Sequence, residues 1–185
     1  KIVRAKNLWK ALSNGIDVWN GGDEVSLSPP TLRETRKHFG PLPWDIPTIS
    51  QSTCGTLKFL ICLEDKAEVE AVLIPSDKRT TLCLSSQVGC NRACSFCATG
   101  RMGFTRNLSS EEILAQVYYA RRYAKEYQMP PLQNIVFMGM GEPLDNVNEV
   151  KVALRQITDP FMFNFGSGHV SLSTVGPSPQ QINMM

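Results

Sequence analysis

Three of the six cysteines fall within eight positions, as Cys90-Asn-Arg-Ala-Cys94-Ser-Phe-Cys97; the others are Cys54, Cys62 and Cys83. Thiolates bind metals, and a cluster this tight points to ligation in a reducing compartment. A secreted disulfide framework would spread its cysteines through the chain, whereas none lies beyond Cys97. Structural zinc needs four ligands, commonly two separate Cys-x-x-Cys pairs. Here only Cys94 and Cys97 form such a pair, with Cys90 four residues upstream. Three thiolates on one loop suit a [4Fe-4S] cluster with one iron left open to chelate a substrate. A zinc knuckle completed by Cys83 or a histidine is the weaker alternative.

The elements that must hold this loop alternate. Thr81–Ser85 reads as a strand leading into it. Ser109 with Glu112 has capping-box spacing and opens a helix whose stripe runs through Ile113, Leu114, Val117, Tyr118 and Ala120. Asn134–Met138 reads as a strand, Val147–Ile157 as an amphipathic helix, and His169–Ser173 as a third strand. Such alternation predicts a parallel sheet with helical crossovers. A closed barrel needs roughly 250 residues, so this is a small open sheet or the front half of something larger.

Upstream the texture is different. Trp9–Leu12 reads as a short helix ending near Asn14-Gly15, and Gly21-Gly22 and Pro29-Pro30 as loops. Leu32–Phe39 reads as a second helix with Thr31 as N-cap. Gly40-Pro41, Pro43 and Pro47 predict a stretch without regular structure. Thr56–Leu63 and Val69–Ile74 form an expected hairpin around Glu64-Asp65-Lys66. The fold class expected is α/β, with a small N-terminal α+β appendage (residues 1–75) before a core (residues 76–185).

Composition narrows the function. The chain is 42% hydrophobic, and its formal net charge of +2 excludes a histone-like arm. No apolar run approaches the ~18 residues of a membrane-spanning helix, so no membrane partner is expected. The chain opens at Lys1 without Met, so the natural start is expected to lie upstream and any targeting peptide is unreadable.

The spacing C-x3-C-x2-C resembles that of radical S-adenosylmethionine (SAM) enzymes. The blocks from Thr81 to Cys90 (TLCLSSQVGC) and from Cys97 to Leu108 (CATGRMGFTRNL) resemble, more narrowly, the dual-specificity ribosomal- and transfer-RNA adenine-C2 methyltransferases. The likeness runs on through Glu111-Glu-Ile, Gln116-Val117, Met138-Gly-Met-Gly-Glu-Pro143 and Ser171-Leu-Ser-Thr-Val-Gly176, and back to Glu70-Ala-Val-Leu-Ile-Pro75. Motifs cover about residues 56–179; the first 50 match only loosely.

That resemblance implies the first half of a partial (β/α) radical SAM barrel. It implies a [4Fe-4S] cluster on Cys90, Cys94 and Cys97, with SAM on the open iron and Phe96 beside its adenine. Gly141, Glu142 and Ser173 would touch SAM. Glu70 would be the base that removes the adenine C2 proton. Cys83 would release product through a transient disulfide with a methylated cysteine near the C-terminus, and no such cysteine lies beyond Cys97. These 185 residues alone are therefore expected not to methylate RNA. The implied partners are 23S ribosomal RNA, transfer RNA and an electron donor such as flavodoxin or ferredoxin. The implied compartment is the cytoplasm, or a plastid or mitochondrion if a transit peptide precedes Lys1. Alternatives are an adenine-C8 methylase of the chloramphenicol–florfenicol resistance type and a non-catalytic RNA- or cluster-binding chain.

Each residue also has a plainer reading. Glu68 and Glu70 share one strand face and read by pattern as solvated carboxylates. Cys54, Cys62 and Cys83 read as small buried hydrophobes, and Gly139–Pro143 as a β-to-α turn. His38 and His169 read as structural. Lys78, Arg79, Arg92, Arg101 and Arg106 read either as RNA phosphate contacts or as a solvated face.

Overall fold

The computed structural model describes residues 2–20, 27–40 and 42–185. The loop expected at Gly21-Gly22, and Pro41, lie outside them. A six-stranded sheet organises the chain, in the order β1 (Asp45–Gln51), β2 (Leu57–Cys62), β3 (Glu68–Pro75), β4 (Thr80–Leu84), β7 (Leu132–Phe137) and β8 (Val170–Leu172). The first four are antiparallel neighbours, whereas β4, β7 and β8 run parallel.

Period-two alternation builds the hairpin of β2 and β3. Leu57, Phe59 and Ile61 face Leu73, Ala71 and Val69 in register, and all six are fully buried. Each large side chain among them contributes roughly 1.5–3 kcal/mol by leaving water. The expected turn is present, with Lys66 in the left-handed region at φ 67°.

The crossover helix α4 (Ser110–Glu126) starts at Ser109 with the full capping box that the sequence indicates. It lays Ile113, Val117 and Ala120, all fully buried, on the same face of the sheet as Phe59 and Ala71. The next helix, α5 (Val147–Thr158), adds Val150, Ala153 and Ile157 to that core. The helices thus cover one face. The other face carries Lys58, Glu70, Val72, Cys83 and Val136, paired in register and only half-buried or exposed. The sheet and its core run continuously across residues 75 and 76.

Three local expectations are corrected. The proline-rich stretch does hold structure, because β1 includes Pro47. It does so as the edge strand, at a register irregularity between Asp45 and Thr48, where a missing N–H costs no ladder bond. Helix α2 (Pro29–His38) begins earlier than expected, with Ser28 and not Thr31 at the N-cap. Two prolines open it because first-turn N–H groups have no intrahelical partner anyway. The helix around Trp9 is longer than its apolar pattern, as α1 (Ile2–Ser13). The sequence also left unread the hairpin of β5 (Gln87–Gly89) and β6 (Phe104–Asn107), the short helix α3 (Ala98–Met102) between its strands, and the final α6 (Pro179–Asn183).

Candidate functional site

The carboxyl ends of β4, β7 and β8 lie side by side, and the chain leaves each through a polar loop. Open parallel sheets bind ligands at this edge. Buried side chains weld the loops together. Gln116, fully buried on α4, accepts from the Ser85 N–H at 2.7 Å and donates to the Ser85 carbonyl at 2.9 Å. The Ser85 hydroxyl donates to the Glu70 carbonyl at 2.7 Å and accepts from the Met140 N–H at 2.8 Å. Asn146 donates to the carbonyls of Ser86 and Leu108, both at 2.8 Å.

The hairpin β5–β6 closes the base of the cysteine loop. The Cys90 N–H donates to the Gly103 carbonyl at 2.9 Å. Gly89, at φ 75°, lies so close that an added Cβ would fall 1.9 Å from that same oxygen, so only glycine fits. Within the loop the Cys97 N–H donates to the Cys94 carbonyl at 3.0 Å, and Cys97 stands at the N-cap position of α3. Arg92 anchors the loop outward: its Nε donates to Asp145 at 2.7 Å and a second N–H forms the other half of the fork. Cys90 is buried, and Cys94 and Cys97 are half-buried. All six thiols are free, so the expected disulfide of Cys83 has no counterpart among these residues.

Among the described residues, no three His, Cys, Asp or Glu side chains are gathered as they would be around a metal ion. The donor set itself suits an iron–sulfur cluster with an open iron: three free thiols on one pinned loop.

The second loop carries Gly141 and Glu142. Gly141 has φ 100°, and a Cβ there would come within 2.6 Å of the Gln87 side chain. Gln87 in turn accepts from the Glu142 N–H at 2.9 Å and donates to Asn107 at 2.7 Å. The Glu142 side chain is only 3% exposed. Its carboxylate accepts from Leu144 N–H (2.9 Å), the Thr174 hydroxyl (2.6 Å) and Val175 N–H (2.9 Å). Glu142 therefore straps the loop after β7 to the loop after β8, where Ser173 is exposed.

On the half-buried face of the sheet, the Glu70 carboxylate meets Lys58 Nζ at 3.1 Å. Cys83 lies opposite Val72, the next inward residue after Glu70 on that face. Burial pushes the Cys83 thiol above its ordinary range; the Met138 N–H works against this, and the Glu70 charge adds to the rise. Glu70 and Cys83 are thus electrostatic neighbours.

The remaining candidates stand apart in their bonding. Arg106 is ion-paired to Asp65 at 2.7 Å and to Glu112 at 2.8 Å, and Arg92 to Asp145, so two of the five basic loop residues are neutralised. His38 meets Glu34 at 3.3 Å, and His169 Nδ1 lies 2.8 Å from Asn134 Oδ1. Phe96 is 89% exposed. Sequence reasoning assigned no role to Ser85, Gln87 and Gln116, although they lie in the quoted motif blocks, and missed Asn146. Their signal was polar residues at the ends of buried strands and on a buried helix face, where each must find a partner.

The family model "Radical SAM superfamily" matches residues 84–185. A probable RNA methyltransferase of Sorangium cellulosum is 56% identical over 121 residues, which is 65% of this chain and 30% of that protein. A dual-specificity RNA methyltransferase RlmN of Oleidesulfovibrio alaskensis is 40% identical over 187 residues, 100% of this chain and 52% of its own. Its namesake from Geotalea uraniireducens is 42% identical over 181 residues, 98% of this chain and 51% of its own. A crystal structure of a radical SAM methyltransferase from Sphaerobacter thermophilus superposes with TM-score 0.80 at 35% identity, covering 93% of this chain and 50% of that one. The chain spans about half the length of the full-chain relatives it matches. With a pinned three-cysteine loop at the carboxyl edge of parallel strands, and a superfamily match that spans that loop and all that follows it, the chain belongs to the radical SAM superfamily.

Proposed function

We propose that this chain carries the cluster- and SAM-binding part of an RNA methyltransferase acting on C2 of adenosine in 23S ribosomal RNA and transfer RNA. The observation that carries the reading is the seating of the Cys90–Cys97 loop against the loop of Gly141 and Glu142, through Arg92–Asp145 and Gln87–Glu142. Relatives named as RNA methyltransferases along the whole chain support the RNA substrate.

In this reading Cys90, Cys94 and Cys97 hold a [4Fe-4S] cluster and leave one iron for SAM. The bound cluster supplies the electron that cleaves SAM, chemistry that belongs to the cofactor. The protein positions. Gly141, in a turn packed against Gln87, and Ser173, exposed at the same edge, would touch SAM, and Glu142 fixes the loops that carry them. Glu70, on the half-buried sheet face and 3.1 Å from Lys58 Nζ, takes the C2 proton at its carboxylate. Cys83 sits beside it as the thiol that resolves the methyl-carrying adduct. Residues 1–75 serve as the accessory part and residues 76–185 as the radical SAM core, the two sharing one continuous sheet. A flavodoxin or ferredoxin is the electron donor, and the compartment is the cytoplasm.

The test is anaerobic reconstitution with iron and sulfide. A brown protein with about four irons per chain is expected. Cys90→Ala, Cys94→Ala and Cys97→Ala should each abolish it, while Cys54→Ala and Cys62→Ala should not. A colourless protein holding one zinc would sink the reading. In the protein that supports turnover, Glu70→Gln should cut 2-methyladenosine in digested RNA by about 10²-fold while SAM cleavage persists.

A further inference from the structure

At the opposite end of the sheet, where β7 begins, α1, the end of α4 and the segment after α5 enclose a cleft of about 950 Å³. Lys6, Lys10, Arg121 and Lys125 line it, and no Asp or Glu does. In a chain with 19 basic and 17 acidic residues this is a strong local imbalance. None of the four cations has an ion-pair partner among the described residues.

An exposed ring marks the cleft as more than a solvated face. Phe161 on its wall is 70% exposed, with Lys6 Nζ 4.7 Å from its ring centroid. Arg121 is partly buried, stacked 4.7 Å from the Phe165 ring and donating to the carbonyls of Ser13 and Phe163. Burial lowers its pKa to about 10, with no carboxylate to offset the cost. Helix dipoles account for Lys10 and Lys125, which sit in the last turns of α1 and α4. The carbonyl of Ser13, which ends α1, likewise accounts for Arg121; none of this accounts for an exposed aromatic ring on the wall with a lysine over it. Cations tracking a backbone beside an exposed ring are what an unpaired nucleic-acid strand requires.

We propose that this cleft binds a single-stranded stretch of RNA, its phosphates on Lys6, Lys10 and Lys125 and one base stacked on Phe161. The proposal rests on the proposed function only in taking RNA as the substrate. Six residues of β7 separate the cleft from the catalytic edge, roughly 20 Å at strand rise. The cleft is thus a second hold on the RNA, remote from the chemistry.

The test is fluorescence anisotropy of a labelled unstructured RNA dodecamer with the 185-residue chain, with no cluster or SAM required. Phe161→Ala removes an exposed ring and keeps every charge, so circular dichroism and Tm should be unchanged while RNA binding weakens about 5- to 100-fold. Lys6→Glu with Lys125→Glu should weaken it at least tenfold and flatten the salt dependence, by about 0.7 in log–log slope per lost phosphate contact. The charge-matched pair Arg33→Glu with Lys37→Glu, on α2, should leave binding within twofold. Equal losses from both pairs would overturn the site, as would Phe161→Ala binding RNA like the parent. Inorganic polyphosphate competing as well as RNA per phosphate would also overturn it. If the parent binds RNA and these variants match it, the cleft alone fails; if the parent binds no RNA, the RNA reading fails with it.

Discussion

Replacing Gln116 by Leu probes the joint between the crossover helix and the strand that feeds the cysteine loop. Leu is similar in volume and apolar, so packing survives while the two hydrogen bonds to Ser85 and a long one to the Glu112 carbonyl disappear. The first two satisfy both backbone groups of Ser85, a residue with no exposed surface. Each buried group left unpaired costs about 1–3 kcal/mol, partly offset because the apolar side chain no longer needs partners itself. The expected net loss is about 3 kcal/mol. For a chain of this length that lowers Tm by roughly 6–12 °C. Urea unfolding followed by circular dichroism should show the midpoint fall with the m-value unchanged. Because the Ser85 hydroxyl bridges Glu70 and Met140, the damage should be local as well. Amide exchange at Ser85 and Met140 should accelerate more than at Phe59 in the hairpin core. A loss below about 1 kcal/mol, with Ser85 still protected, would refute the reasoning that Gln116 holds this strand end.

Gly141→Ala should cost about 2–4 kcal/mol, since φ 100° is strained for any side chain and the new Cβ would overlap Gln87; urea midpoints check it. Ser109→Ala removes the capping-box acceptor for Glu112 N–H and should destabilise by about 1 kcal/mol in the same assay. The exposed Cys54 thiol, hydrogen-bonded by the Ser52 and Thr56 hydroxyls, has its pKa lowered to about 7, whereas burial raises that of Cys83. Thiolate forms as pH rises through the pKa, so iodoacetamide labelling read by mass spectrometry should reach half its maximal rate near pH 7 at Cys54. Labelling at Cys83 should need pH above the ordinary thiol range of about 8.5. Equal rates for the two at pH 7.5 would contradict this.

Cysteine spacing, the capping box at Ser109 and the period-two runs of β2 and β3 could be read directly because each is local. A loop ligand set, a helix start and a strand face are set by residues within a few positions of one another. The alternation after residue 80 gave the parallel sheet for the same reason. What the tertiary structure alone decided depends on residues far apart in sequence. Gln116 reaches Ser85 across 31 residues, and the Glu142 carboxylate closes on Val175 across 33. The hairpin that pins the cysteine loop pairs Gly89 with Phe104, and its strands are too short for periodicity to reveal. Pro47 reads as a breaker by sequence, although an edge strand tolerates it. Glu70 and Cys83 become neighbours only through the register of β3 on β4, which sequence alternation constrains to a face but not to a partner. The cationic cleft draws on three segments that share no motif, because surface charge becomes a site only when the fold gathers it.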